Sequence, residues 1–357
     1  MTTPSSSPMR FLIFGAGAIG TYIGGSLALI GQRVTFVERP ETARELRRRG
    51  LRLDLTADRR RRANETLLIP PSSVTIAESL EEALQYLPFD AAIFALKSFD
   101  TAPALEAIRP FVRQLPPFVC LSNGVENETL LASVLGAEKV IPGTVTSAIG
   151  RRAAGDAILE KLRGVGLAAG HPLSPKLVTL FNLAHLNARL FADPAAMKWS
   201  KLLTNLIANA TSAILNLPPE RIFADPRLYW LEIAMLREAL AVMQAQNIPL
   251  ADLPQTPVRA LAWAVRWPLW LSQPLLRRAI AGGRGGKMPS FHIDLHSGRG
   301  QSEVDYLNGA VVRAGERVGV LTPVNRLLTQ TLLALTRGER PLEEFSGKPD
   351  ALLALFH

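Results

Sequence analysis

The chain has a single cysteine, Cys120, in an apolar run, so no intramolecular disulfide can form. A buried, inert thiol in a reducing cytoplasm is the expectation. Met1–Pro8 lacks the basic start and apolar stretch of a secretory signal and reads as a disordered leader. Nowhere does the sequence hold the roughly 20 predominantly apolar residues that a membrane span needs. The nearest stretch, Val258 to Ile280, is interrupted by Arg259, Arg266, Pro268 and Arg277, which fits a buried or interfacial helix pair. No aromatic residue interleaves with the arginine clusters Arg47–Arg49 and Arg59–Arg62. A base-stacking platform for nucleic acid is therefore not supported, and the clusters read as solvated faces. No set of side chains has metal-ligand spacing, and His292 stands alone.

What is present is ordinary globular material. The chain has 357 residues, 48% of them hydrophobic and 20% charged, and this length suggests two domains. Net charge is +9, which suits an anionic cofactor and an anionic substrate.

The first half alternates strand and helix signals. Phe11–Phe14, Val34–Val37, Asp90–Leu96 and Phe118–Leu121 are short continuous apolar runs. Helical patterns at Ala18–Ile30, Glu41–Arg49 and Ala102–Val112 separate them. Such strands are buried on both faces, which indicates an α/β domain with a doubly wound parallel sheet over residues 9–192. After about residue 190 strand signals are sparse. Met197–Leu215, Leu228–Gln246, Val304–Val318 and Val324–Thr336 read as helices of an all-helical domain over residues 193–345, with 346–357 as a tail. The apolar helices after residue 225 suit either a homodimer interface or one completed core. Ala281–Lys287 is glycine-rich and reads as a flexible basic loop.

Gly15-Ala16-Gly17-Ala18-Ile19-Gly20 follows a strand and opens a helix, the context in which G-x-G-x-x-G marks a dinucleotide site. Gly15 permits the turn, Gly17 lets backbone approach the pyrophosphate, and Gly20 lets helix pack on strand. The helix N-terminus offers N–H groups to the phosphates. The second strand ends at Glu38-Arg39. An acid there suits the ribose hydroxyl of NAD and an arginine the 2′-phosphate of NADP, so spacing alone leaves the choice open. Lys97 and Asn123-Gly124 end two further strands at the carboxyl edge of the sheet, where open α/β sheets bind ligands.

In the second half, Lys201, Asn205 and Asn209 fall at i, i+4 and i+8 among apolar residues, on one face of a continuous helix. Such polar groups either pair within the protein or line a site. Ser290 lies in a second polar segment. Ser302 can cap a helix starting at Glu303, where an acid suits the positive helix end.

Taken in order, Gly15–Gly20, Lys97, Asn123-Gly124, the Lys201–Asn205–Asn209 stripe and Ser302-Glu-Val-Asp-Tyr-Leu-Asn-Gly309 resemble the ketopantoate reductase (2-dehydropantoate 2-reductase) family over about residues 9 to 337. The resemblance implies a Rossmann domain, a helical domain and NADPH-dependent reduction of ketopantoate to pantoate, on the route to pantothenate and coenzyme A. It implies that Lys201 is the proton donor and that Glu303 binds the substrate hydroxyl and lies near the cofactor. Asn205, Asn209 and Ser290 become substrate contacts, and Asn123 lies beside nicotinamide and substrate. The loop Gly15, Ala16, Gly17, Ala18, Ile19 and Gly20, with Arg39 and Lys97, becomes the NADP(H) site. Two features depart from the pattern: Glu38 beside Arg39, and a long tryptophan-rich segment, Val258 to Met288, just before Ser290. The alternatives are a dehydrogenase of another small anionic hydroxy or oxo acid, and a dinucleotide-sensing protein without turnover.

Overall fold

The computed structural model describes residues 7–61, 66–284, 287–298 and 300–356. Most of the expected leader, Arg62 and Gly285-Gly286 lie outside the described residues. The chain forms two compact units. One holds Met1–Ser122, Asn127–Met197 and Leu253–Thr256; the other holds Asn123–Glu126, Lys198–Asp252 and Pro257–His357. The changeover thus comes after Met197, a little later than the composition shift at 192.

The first unit runs through β1 (Arg10–Phe14), α1 (Ala18–Leu29), β2 (Arg33–Val37), α2 (Pro40–Arg49), β3 (Leu51–Asp54), β4 (Thr66–Ile69), β5 (Thr75–Ala77), α3 (Leu80–Leu84) and β6 (Ala91–Phe94). It continues with α4 (Thr101–Ile108), β7 (Phe118–Cys120), α5 (Asn127–Leu135), β8 (Val140–Val145), β9 (Ala148–Ala153), β10 (Asp156–Lys161), β11 (Val165–Ala168), α6 (Ser174–Leu183) and β12 (Ala188–Phe191). Eight strands form one sheet in the order β12-β11-β8-β7-β6-β1-β2-β5. Pairing is parallel from β5 to β8; β11 then runs antiparallel to β8. The apolar residues of β1 are at most 6% exposed, as a central strand covered on both faces requires. Strands leave β1 in opposite directions, through β2 on one side and β6 on the other. At such a reversal open α/β sheets bind ligands, here at the carboxyl ends of β1 and β6.

A second sheet, β4-β3-β10-β9, has no counterpart in the sequence reading. It supports the glycine loop: Gly155, in the β9–β10 turn, donates its N–H to the Ala16 carbonyl at 2.8 Å. The arginine clusters lie largely on exposed surface, as expected, and some of their members are also ion-paired. Arg47 bonds Glu78 and Glu82, and Arg60 and Arg61 both reach the buried Asp58. Cys120 is buried, as its apolar run implies.

Asp193 caps α7 (Pro194–Leu206) by accepting the Ala196 N–H at 2.8 Å, with proline at the first helical position. The second unit then holds most of α7, α8 (Asn209–Leu215), α9 (Pro219–Ala224), α10 (Pro226–Ala245), α11 (Val258–Arg266), α12 (Leu269–Arg284), α13 (Ser290–Leu295), α14 (Val304–Val318), α15 (Pro323–Thr336) and α16 (Pro349–Leu353). Three expectations are corrected here. The single helix expected over Met197–Leu215 is two, broken at Ala208, whose φ is +51°. The loop expected from Ala281 is helical as far as Arg284, because a helix already formed tolerates glycine at about 1 kcal/mol each. The expected tail carries α16, with Leu352 fully buried and the Gly347 N–H bonded to the Leu215 carbonyl at 2.8 Å. Among the described residues no helix is long and apolar enough to cross a membrane.

Candidate active site

In the first unit the glycine loop has the geometry its sequence implies. Gly15 sits at φ +90°, where an L side chain is strained, and a Cβ there would meet Leu96 Cδ2 at 2.7 Å. A Cβ on Gly20 would lie 1.9 Å from the Gly15 carbonyl oxygen, so helix and turn touch backbone to backbone. Gly17 differs: it has φ −69°, and a Cβ would meet nothing within 4 Å. Packing does not require glycine there. Gly17 is also the N-cap of α1, without a side-chain cap, and no acidic residue lies in the first turn. The N-terminus of α1 therefore offers its N–H groups and positive end without a side-chain cap. These residues fit a dinucleotide pyrophosphate.

Glu38 turns inward to this loop. Its carboxylate accepts the N–H of Ala16 and, at 3.2 Å, the N–H of Arg39. The Arg39 side chain is 83% exposed, with Asp100 at 3.9 Å. Lys97 begins the turn after β6. Asn127 fixes that turn by donating to Ser98 Oγ at 3.2 Å while accepting from Thr101 Oγ1 at 2.8 Å. Ser122 Oγ ties β7 to β6 by donating to the Leu96 carbonyl at 2.8 Å.

In the second unit four of the predicted residues form one hydrogen-bonded string. Asn205 Nδ2 donates to Asn123 Oδ1 at 3.1 Å. Asn209 Nδ2 donates to the Asn205 carbonyl at 3.0 Å and to Ser290 Oγ at 3.2 Å. Asn209 Oδ1 accepts the Phe291 N–H at 3.0 Å. Asn209 is 3% exposed, and these bonds make it the joint between α7, α8 and α13. Asn123, Lys201 and Asn205 are half-buried and Ser290 is exposed. Lys201 precedes Asn205 by one turn on α7. Glu303 is 1% exposed and is the N-cap residue of α14, so the helix starts one residue later than expected; Ser302, one residue before the cap, accepts the Val304 N–H through Oγ at 3.2 Å.

Several supporting residues escape sequence reasoning. Glu232, fully buried on α10, accepts the Ala208 N–H at 2.7 Å and the Thr211 hydroxyl at 2.5 Å, and so holds the α7–α8 break. Arg313 grips Glu126 through Nη2 at 2.6 Å and Nε at 3.2 Å, and Asp305 through Nη1 at 2.9 Å. It thereby anchors the segment that carries Asn123. Asp305, Gly309 and Arg313 are one turn apart on α14, and a Cβ at Gly309 would crowd Asp305 Oδ1 at 2.5 Å. That i, i+4, i+8 spacing was the available signal. Lys198 is only 6% exposed, one turn before Lys201, and shared helical spacing was again the signal.

A family model described as ketopantoate reductase PanE/ApbA matches residues 11–168, and its C-terminal counterpart matches residues 193–336. A 2-dehydropantoate 2-reductase of Streptococcus pyogenes is 23% identical over 91% of this chain and 97% of its own. The crystal structure of a PanE/ApbA family ketopantoate reductase from Ralstonia eutropha JMP134 superposes with a TM-score of 0.76 at 26% identity, covering 93% of this chain and 99% of the other. A D-mandelate dehydrogenase in ternary complex with NADH and anilino(oxo)acetate shares the fold, with a TM-score of 0.72 at 18% identity and coverage of 92% and 99%.

Proposed function

The chain belongs to the ketopantoate reductase PanE/ApbA family, whose members are oxidoreductases with a nicotinamide dinucleotide cofactor, and from that premise we propose that it reduces 2-dehydropantoate to pantoate with NADPH, Lys201 donating the proton. The observation that carries this reading is the hydrogen-bonded string Asn123–Asn205–Asn209–Ser290, with Lys201 one turn before Asn205. Residues far apart in sequence converge in one unit, and each is of a type that a 2-oxoacid needs.

When bound, the nicotinamide supplies a hydride; the remaining work falls to the protein's side chains. Reduction of a ketone builds negative charge on its oxygen. The Lys201 ammonium stabilises that charge and delivers the proton, a contribution worth about 10²–10⁴ in rate. Asn205 has its amide plane held by Asn123, which keeps a second N–H and a carbonyl oxygen in fixed directions for the substrate. Ser290 presents an exposed hydroxyl suited to the substrate carboxylate, and Asn209 positions both Ser290 and Asn205. Glu303 accepts the substrate hydroxyl. In the other unit, the Gly15–Gly20 loop takes the pyrophosphate and Lys97 adds a cofactor contact. The preference for NADPH rests on division of labour at the end of β2. Glu38 is engaged by the Ala16 and Arg39 N–H groups, while the Arg39 guanidinium is exposed to meet a 2′-phosphate. A reducing cytoplasm suits the lone buried Cys120.

The test is steady-state kinetics followed by NADPH absorbance, with ketopantoate and a panel of other 2-oxoacids, and with NADH in place of NADPH. Ketopantoate is expected to be the best substrate and NADPH the better donor. Lys201→Ala is expected to lose at least a hundred-fold in turnover with NADPH affinity unchanged. Near-wild-type turnover in that variant removes the lysine from the mechanism. Preference for another oxoacid overturns the substrate assignment while leaving the reductase chemistry standing.

A further inference from the structure

Helices α11 and α12 present an outward face that neither the core nor the reduction chemistry uses. The inner side of α12 is fixed. Tyr229 donates to Ser272 Oγ at 2.5 Å, Gln273 Nε2 donates to the Phe223 carbonyl at 3.3 Å, and Leu276 is buried. Arg237 closes the end of α11 by donating to the Val265 and Trp267 carbonyls, both at 2.9 Å. The opposite side of α12 carries Trp270, Leu271, Pro274 and Leu275, whose spacing puts them on one helical face. Trp270 is 74% exposed and Leu275 50%. On α11, Trp263 is 58% exposed and packs edge-on against Trp267 with ring centroids 4.1 Å apart. An ordinary surface helix turns such residues inward. Here three of the chain's five tryptophans gather on an exposed hairpin.

The charge of the hairpin has one sign. No aspartate or glutamate occurs between Asp252 and Asp294, an interval that contains Arg259, Arg266, Arg277, Arg278 and Lys287. Arg266, Arg277 and Arg278 are exposed, and among the described residues none has a carboxylate in salt-bridge range.

We propose that this hairpin docks the protein onto the surface of a bilayer containing anionic phospholipid. Tryptophan and leucine enter the headgroup boundary, arginine pairs with lipid phosphate, and neither group then needs a protein partner. The helices lie in the interface plane, since neither is long and apolar enough to cross. Charge argues against a second copy of the chain as occupant. A two-fold contact would set this face against itself, arginine facing arginine with no acid within the hairpin to compensate. An anionic lipid surface supplies the missing negative charge over the whole face.

The test is co-sedimentation of the full chain with vesicles of phosphatidylcholine alone, or of phosphatidylcholine and phosphatidylglycerol in equal parts. The protein is expected to pellet with the anionic vesicles, more weakly as salt rises, with a blue shift in tryptophan emission. Arg277→Gln with Arg278→Gln should lower the apparent partition about twenty-five-fold, from roughly five-fold for each basic group near an anionic surface. Trp270→Ala with Leu275→Ala should abolish the emission shift while melting temperature and reductase turnover stay at wild-type values, because both side chains face solvent. Equal pelleting with neutral and anionic vesicles, or none with either, overturns the proposal. So does self-association in sedimentation velocity that the Trp270→Ala, Leu275→Ala variant removes, since a second copy would then cover the face.

Discussion

Gly17 and Gly20 allow the dinucleotide loop to be tested by one chemical change made twice. Adding a methyl at Gly17 meets no atom within 4 Å, and φ −69° suits alanine. Lower entropy of the unfolded chain favours Gly17→Ala by about 0.4–1 kcal/mol, and the poorer N-cap opposes it by a similar amount. Stability should therefore stay within about 0.5 kcal/mol of wild type. The methyl does enter the space open to a pyrophosphate. Loss of one hydrogen bond to a charged group costs ~1.5–3 kcal/mol, so the Kd for NADPH should rise about ten- to a hundred-fold. Gly20→Ala reverses the pattern. Its methyl would sit 1.9 Å from the Gly15 carbonyl oxygen, which is backbone and cannot swing aside. The variant should lose about 1–3 kcal/mol or more through overpacking, with a melting temperature several degrees lower. Thermal melts without ligand, paired with NADPH titration by fluorescence, separate the two effects. Wild-type NADPH affinity in Gly17→Ala would refute the placement of the pyrophosphate at this loop. A wild-type melt for Gly20→Ala would refute the contact between helix and turn.

Glu232→Gln puts an amide donor where two donors converge, so one buried N–H or O–H loses its acceptor. A cost of about 1–3 kcal/mol is expected, with turnover falling and NADPH affinity unchanged; equal melting curves would count against the role of Glu232. Arg313→Lys cannot grip Glu126 bidentately and should raise the KM for the oxoacid more than the Kd for NADPH, and the opposite ranking in kinetics would separate Arg313 from Asn123. Asp225 caps α10, and although burial works to raise its pKa, bonds from the Arg227 side chain and the Arg227 and Leu228 N–H groups hold it below the usual value. Its stabilising contribution is therefore complete above the unfolded carboxyl pKa of about 3.9 and is lost as pH falls through the lower folded value. Melts of wild type and Asp225→Asn should differ most above that range and converge in acid; a constant gap would exclude the carboxylate as the cause.

Local patterns made much of this molecule legible. The glycine loop declares itself within six residues because its constraints are local, and α14 runs from Val304 to Val318 as its periodicity requires. The four-stranded sheet left little trace. Its strand β9 is exposed or half-buried along its length, so no apolar alternation marks it, and β3 and β4 have four residues each. Arg313 and Glu126 are 187 residues apart, a pairing that no local pattern encodes.

The break at Ala208 shows how residues at helical spacing in the sequence can be arranged differently in space. Four-residue spacing puts Lys201, Asn205 and Asn209 on one face only if the helix is continuous. An alanine at φ +51° has no sequence signature and costs about 1–2 kcal/mol, so the surroundings must overdetermine it. Glu232 supplies that constraint from a different helix by taking the Ala208 N–H. The Asn205 carbonyl then receives the Asn209 side-chain amide. Asn209 leaves the stripe and reaches Ser290, which a straight helix would not bring to Asn205 through a shared partner. The strain at Ala208 thus joins two polar segments that the sequence presents separately, and the substrate reading depends on that joint more than on the stripe.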